Sequence, residues 1–230
     1  MTPNPPYKHI GFIGFGVMGG SLALLIKDIY PKIKLSILEP NKPAAIYAKA
    51  NHIASNIFST WDHFPQDLDL AFVCTPIHHI KQSIQTLAQH NKTPLTITDI
   101  GSVKNNLVQT IDLNHTHHNY IPGHPMAGSE KSGIQFAHKN LLKEASYILV
   151  EQPITAFKTL YNFLLTLHFN VLPLSAKTHD QLTAISSHTP YLMACLTTYL
   201  TTTLTPKEQT QLKPVLGPEI GRAHVWTPVT

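Results

Sequence analysis

The chain has 230 residues, 43% hydrophobic and 13% charged, with a net charge of +4: a globular composition long enough for one large domain or two small ones. Its Lys residues form no run, which excludes the clustered basic face of a nucleic-acid binder and suits an anionic small molecule. Cys74 and Cys195 are the only cysteines, too few for a disulfide framework, and they point to a reducing cytoplasm. Residues 11 to 26 are apolar but lack the basic flank and cleavage site of a signal peptide, and are too short and glycine-rich for a membrane span.

Along the chain, Lys8 to Gly14 is an apolar run that predicts a buried strand. It enters the turn Gly14-Phe15-Gly16-Val17-Met18-Gly19, and Leu22 to Ile29 follows as a helix. This is GxGxxG in the strand–turn–helix context that gives it meaning: one glycine for the turn, one for close approach of a pyrophosphate, one for helix–strand packing. All six turn residues are candidate cofactor contacts, with the phosphates at the helix N-terminus. Glu39 follows the strand Ile33 to Leu38, twenty residues after Gly19. A carboxylate there accepts from ribose hydroxyls and repels a 2′-phosphate, so NAD is the expected cofactor, with NADP the alternative because Lys42 is near.

Helix and strand then alternate as a parallel sheet requires. Helical pattern covers Ala44 to Asn51 and Ile77 to His90, and strands are expected at Leu68 to Cys74 and Leu95 to Ile100. The fold class is therefore α/β, a Rossmann-type doubly wound, mostly parallel sheet. Ligands of such sheets lie beyond the carboxyl ends of the strands, which nominates Thr75, Pro76 and Gly101. Ser102 reads equally as the N-cap of a helix Val103 to Ile111 or as a substrate contact. His115, His117 and His118 lack cysteine or acidic partners at ligand spacing, so a solvated loop and no metal are expected. Strands at Ser146 to Val150 and Asn170 to Leu174 flank a helix Thr155 to His168, whose Phe157, Leu160, Tyr161, Leu164 and Leu165 are assigned to the core. From Ser175 to Leu204 the pattern is helical, with His179, Thr183, Ser186 or Ser187, and Pro190 near one stripe.

The most informative stretch is Gly123-His-Pro-Met-Ala-Gly-Ser-Glu-Lys-Ser-Gly133. Three glycines and Pro125 predict a loop irregular along its length, and its imidazole, hydroxyl, carboxylate and ammonium predict a site. With Asp99-Ile-Gly-Ser-Val-Lys104, and with His179-Asp180 followed by Ser187-His188-Thr-Pro190-Tyr191, it resembles the prephenate and arogenate dehydrogenases. That resemblance implies an NAD(P)-dependent oxidoreductase of tyrosine biosynthesis that decarboxylates prephenate oxidatively to 4-hydroxyphenylpyruvate. The alternatives are arogenate as substrate and, from another class, a non-catalytic NAD-binding regulatory domain. It further implies His124 as partner of the ring hydroxyl, Ser102 as its orienter, and Ser129 and Glu130 in a gating loop. His179, Ser187, His188 and Tyr191 become substrate contacts, and a helical second domain forms a homodimer. Tyr191 stands where the family carries a histidine, and Thr189 where it carries leucine.

The expected division is 1–174 for the dinucleotide domain, 175–218 for a partial helical domain and 219–230 for a non-native tail. The last segment lacks apolar periodicity and resembles a translated sequencing adapter; it holds Arg222, the only arginine. Leu182, Ile185, Leu192 and Met193 are expected to lie exposed for want of partner helices.

Overall fold

The computed structural model describes residues 4–54, 56–113 and 115–212. β1 (His9–Ile13) is buried along its whole length, as a strand between two others must be. It pairs in parallel with β2 (Lys34–Leu38) and β4 (Leu70–Val73). β3 (Asn56–Phe58), β5 (Thr96–Asp99) and β6 (Asn119–Tyr120) complete a six-stranded parallel sheet of order β3-β2-β1-β4-β5-β6. Strand order reverses between β1 and β4, so a crevice opens at their carboxyl ends. β7 (Gly123–Pro125), β8 (Ser146–Val150) and β9 (Asn170–Leu174) form a second sheet, with β7 antiparallel and β9 parallel to β8.

Side chains alternate across the large sheet and make a core on each face. Phe12, Ile37 and Phe72 pack with Leu22 and Ile26 of α1 (Val17–Ile29) and Phe163 and Leu164 of α5 (Thr155–Thr166). Ile13, Ala71, Val73 and Ile97 pack on the other face with Ile80, Ile84 and Leu87 of α3 (Ile77–His90). α2 (Lys42–Ala50) is capped by Asn41, whose side chain accepts from Ala44 N at 3.1 Å. α4 (Asn105–Thr110) is a short helix after β5. The helical run expected after Ser175 is present as α6 (Ala176–Thr183), a π-helical turn Ala184–His188 and α7 (Thr189–Thr202), followed by α8 (Pro206–Leu212). No described helix is long and apolar enough to cross a membrane.

Four expectations are corrected. Gly123–Pro125 is a strand, because Gly123 lets the backbone lie against Tyr147 and Thr98: a Cβ there would sit 2.7 Å from Tyr147 Cε1 and 2.8 Å from Thr98 Oγ1. Ser102 is not the cap of α4; that helix begins at Asn105, and its first amides are held by Asp180 from a distant helix. Leu165 is 42% exposed, and Phe163 takes its place in the core. His118 is buried, its ring desolvated so that its pKa falls below the ordinary value, while His115 and His117 stay exposed. No group of three metal-ligating side chains occurs among the described residues. Leu182, Ile185, Leu192 and Met193 are 49 to 73% exposed, as expected. The expected tail, with Arg222, lies outside the described residues.

Candidate active site

The glycine-rich turn has the geometry its spacing predicts. Gly14 sits at φ +84°, the left-handed region that favours glycine, and a Cβ there would press on the Cys74 carbonyl and Thr75 N at 3.1 Å. Gly16 is the N-cap of α1 and would meet nothing within 4 Å if it carried a Cβ. It therefore faces open space at a helix N-terminus that has no side-chain cap and no acid in its first turn, a setting that welcomes a phosphate. Phe15 contributes only its backbone, since its side chain is buried edge-on against Phe12. Its amide donates to Glu39 Oε2 at 2.7 Å, and Asn41 N donates to Oε1 at 2.8 Å. Glu39 is thus aimed back across the turn, and a carboxylate has about four acceptor sites, leaving room for ribose hydroxyls. Thr75 bonds Ser83 (Oγ1···Oγ 3.4 Å) and Pro76 opens α3, both beyond the end of β4. These residues fit a dinucleotide.

Beyond β5 the structure assembles a chain of polar groups. His124, central in β7, brings Nδ1 within 2.8 Å of His179 Nε2, and His179 Nδ1 lies 2.7 Å from Asp180 Oδ1. Asp180 also accepts from Lys104 N (2.8 Å, Oδ1) and Asn105 N (2.9 Å, Oδ2). Burial alone would raise its pKa, but the bonds from Asn105 N, His179 and Lys104 N outweigh that and hold it below the usual carboxylate range. An ionised Asp180 can only accept, so His179 carries its proton on Nδ1 and offers a bare Nε2. His124 must then donate from Nδ1, which leaves its own Nε2 as an acceptor; the assignment follows from the hydrogen-bond partners. His124 stays neutral because burial, and after it the positive charge of Lys104 and the neighbouring imidazoles, push its pKa well down against the opposing pull of Asp180.

The turn carrying Ser187 and His188 has a local cause. Pro190 lacks an N–H and its ring crowds the carbonyl four residues back. The helix widens one residue ahead of it, and Thr189 N reaches Ala184 O five residues away, reinforced by Thr189 Oγ1 at 2.8 Å. Such π-turns are frequent at functional sites. Here it leaves Ser186 exposed and turns Ser187 and His188 to half-buried positions, with Thr183 and His179 buried one and two turns before.

Not every nominated residue joins this cluster. His179 stands behind His124, fully buried, so it supports that residue rather than facing a ligand. Ser102 is exposed, two residues before Lys104. Ser129 accepts from Lys131 N at 3.0 Å in a local turn. Ser129 and the exposed Glu130 line a cavity of about 380 Å³ with Lys131, Phe136 and His138, and neither His124 nor His179 borders it. Tyr191 is half-buried beside Cys195, whose thiol raises its pKa. The nominated residues omit Asp180, Lys104 and Asp99. An acid following a histidine, and an Asp and a Lys five residues apart, are the signals that mark them.

A parallel sheet of this order, with a glycine turn, a following acid and an imidazole chain beyond β5, defines a dinucleotide-binding domain of the Rossmann class. The family model "prephenate dehydrogenase, nucleotide-binding domain" matches residues 23–171, and the chain belongs to that family. It is 33% identical over 190 residues to a prephenate dehydrogenase of Lactococcus lactis, covering 81% of this chain and 52% of that protein. It is 27% identical over 191 residues to a cyclohexadienyl dehydrogenase of Zymomonas mobilis, covering 82% and 65%. The chain thus spans about half to two thirds of the curated relatives it matches. A prephenate dehydrogenase of Aquifex aeolicus, solved with hydroxyphenyl propionate and NAD+, superposes with a TM-score of 0.79 at 25% identity over 89% of this chain and 73% of that one.

Proposed function

We propose that the chain carries the nucleotide-binding and proton-accepting half of an NAD-dependent prephenate dehydrogenase, with segment 175–218 opening a helical, dimer-forming domain and the enzyme residing in the cytoplasm. The observation that carries the reading is the Asp180–His179–His124 chain ending in a bare Nε2. When bound, NAD+ supplies the acceptor for the hydride leaving C4 of the ring. The Nε2 of His124 accepts from the hydroxyl on that carbon and draws off its proton while the ring carboxylate departs as carbon dioxide and the ring becomes aromatic. Neutral His124 is the form that can accept, and the low polarity of its surroundings keeps it so. The family resemblance assigns the orienting of that hydroxyl to Ser102, which is exposed in the segment after β5. The test is NADH formation by the complete gene product with prephenate and arogenate side by side; absence of NADH with both would leave a non-catalytic nucleotide-binding domain.

Two binding predictions follow from the turn. Gly16→Val places a branched side chain at the head of α1, where a Cβ meets no atom within 4 Å, and the position already has an ordinary φ of −86°. NAD+ affinity is expected to fall about tenfold or more, roughly 1.4 kcal/mol, with an unchanged melting curve; equal affinity by fluorescence titration would remove Gly16 from the site. Glu39→Gln keeps the shape but not the charge that repels a 2′-phosphate. The ratio of NAD+ to NADP+ affinity is expected to drop about tenfold, since bonds to a charged acceptor contribute roughly 1.5–3 kcal/mol. An unchanged ratio would place selectivity elsewhere, with Lys42 the next residue to vary.

A further inference from the structure

Lys104 is a fully buried lysine, and its ammonium pairs with Asp99, equally buried at the end of β5. Asp99 is saturated: Oδ2 accepts from Lys104 Nζ and from Gly101 N (2.9 Å), and Oδ1 accepts from Tyr120 Oη (2.9 Å) and Gly123 N (3.3 Å). One carboxylate therefore ties the segment bearing Ser102 to the strand bearing His124, across the seam between the two sheets. From its other side Lys104 uses its backbone amide to hold Asp180. The bonds close a ring that runs His124, His179, Asp180, Lys104, Asp99, Gly123 and back through the peptide to His124.

A buried ion pair is poor evidence of stability, because apolar residues of the same volume often serve as well. Something other than folding must account for a charge placed there. We propose that Lys104, locked by Asp99, is a positioning residue for the proposed reaction: it closes the hydrogen-bonded ring that fixes the segment bearing Ser102 and the strand bearing His124 relative to each other. Its positive charge adds to burial, the larger cause, in keeping the two imidazoles neutral. The charged and titratable groups that act on His124 are Lys104 from the segment after β5, and His179, Asp180 and His188 from α6 and the π-turn. Lys104, His179 and His188 oppose its protonation, and only Asp180 favours it. Lys104 bears on His179 in the same sense. Its own pKa is lowered by burial, against the pull of Asp99 and Asp180.

The inference rests on the proposed reaction for its purpose, but its main test does not. The His124 ring is titrated by proton NMR in wild-type chain, in Lys104→Met and in the double variant Asp99→Asn/Lys104→Met, without cofactor. Removing a like charge of this kind is expected to raise the His124 pKa by about one unit or more, further in the single variant, where Asp99 is left unpaired. In the complete gene product, the acid limb of kcat/KM for prephenate should move upward by the same amount, with kcat lowered more than KM is changed. A folded double variant whose His124 titrates as in wild type overturns the proposal. A double variant that does not fold assigns the pair to stability alone and overturns it too. If wild-type protein forms no NADH, the proposed function fails while the titration still decides the role of Lys104.

Discussion

The His124→Asn variant is expected to lose about 10² to 10⁴ in kcat for prephenate, the usual contribution of one well-placed proton acceptor. Asparagine can still pair with His179 Nε2 through its amide, so β7 keeps its place against β8, where His124 faces Ile148. What it lacks is a basic nitrogen toward the substrate. NAD+ affinity should be unchanged, because the glycine turn and Glu39 belong to other strands of the sheet. The measurement is initial NADH formation beside a cofactor titration. A kcat within about threefold of wild type would show that aromatisation of the ring needs no acceptor at this position, against the range general bases supply.

The large sheet is legible in the sequence because buried parallel strands are continuous apolar runs. Lys8 to Gly14 and Leu68 to Cys74 stand out in this way, as does Ser146 to Val150 at the centre of the small sheet. β3, β6 and β7 are not legible, since two or three residues carry no period and Gly123 and Pro125 argue against a strand on local grounds. β7 exists because Tyr147 and Thr98 leave room for a glycine backbone only, a fact of tertiary contact. The cap of α4 is hidden for a similar reason. Ser102 has the local chemistry of an N-cap, but a carboxylate 76 residues away from Lys104 reaches the amides instead. The same distance hides the site's central link: His124 and His179 are both visible as candidates, whereas their contact is made 55 residues apart by the docking of α6.

Asp180→Asn is expected to damage turnover more than Asp180→Ala. The carboxylate accepts three bonds, from His179 Nδ1 and the amides of Lys104 and Asn105. An asparagine has one acceptor oxygen and two donors. If its oxygen stays with the amides at the start of α4, its NH2 faces His179 and forces the imidazole proton from Nδ1 to Nε2. That proton then points at His124 Nδ1, and the proton of His124 is driven to Nε2. The nitrogen that should accept the substrate hydroxyl has become a donor. An alanine imposes no tautomer, so a fraction of molecules keeps a bare Nε2 on His124. The asparagine variant should thus lose about 10² or more in kcat, and alanine about tenfold less than that. The alanine variant should be destabilised by roughly 1–3 kcal/mol through unpaired donors and the asparagine variant by less, which a melting curve separates from the kinetic effect. Nitrogen NMR of the two imidazoles gives the tautomers directly. Asparagine and alanine variants with equal kcat, or an asparagine variant with His179 still protonated on Nδ1, would show that Asp180 acts by holding α6 against α4 and not by setting the direction of the histidine chain.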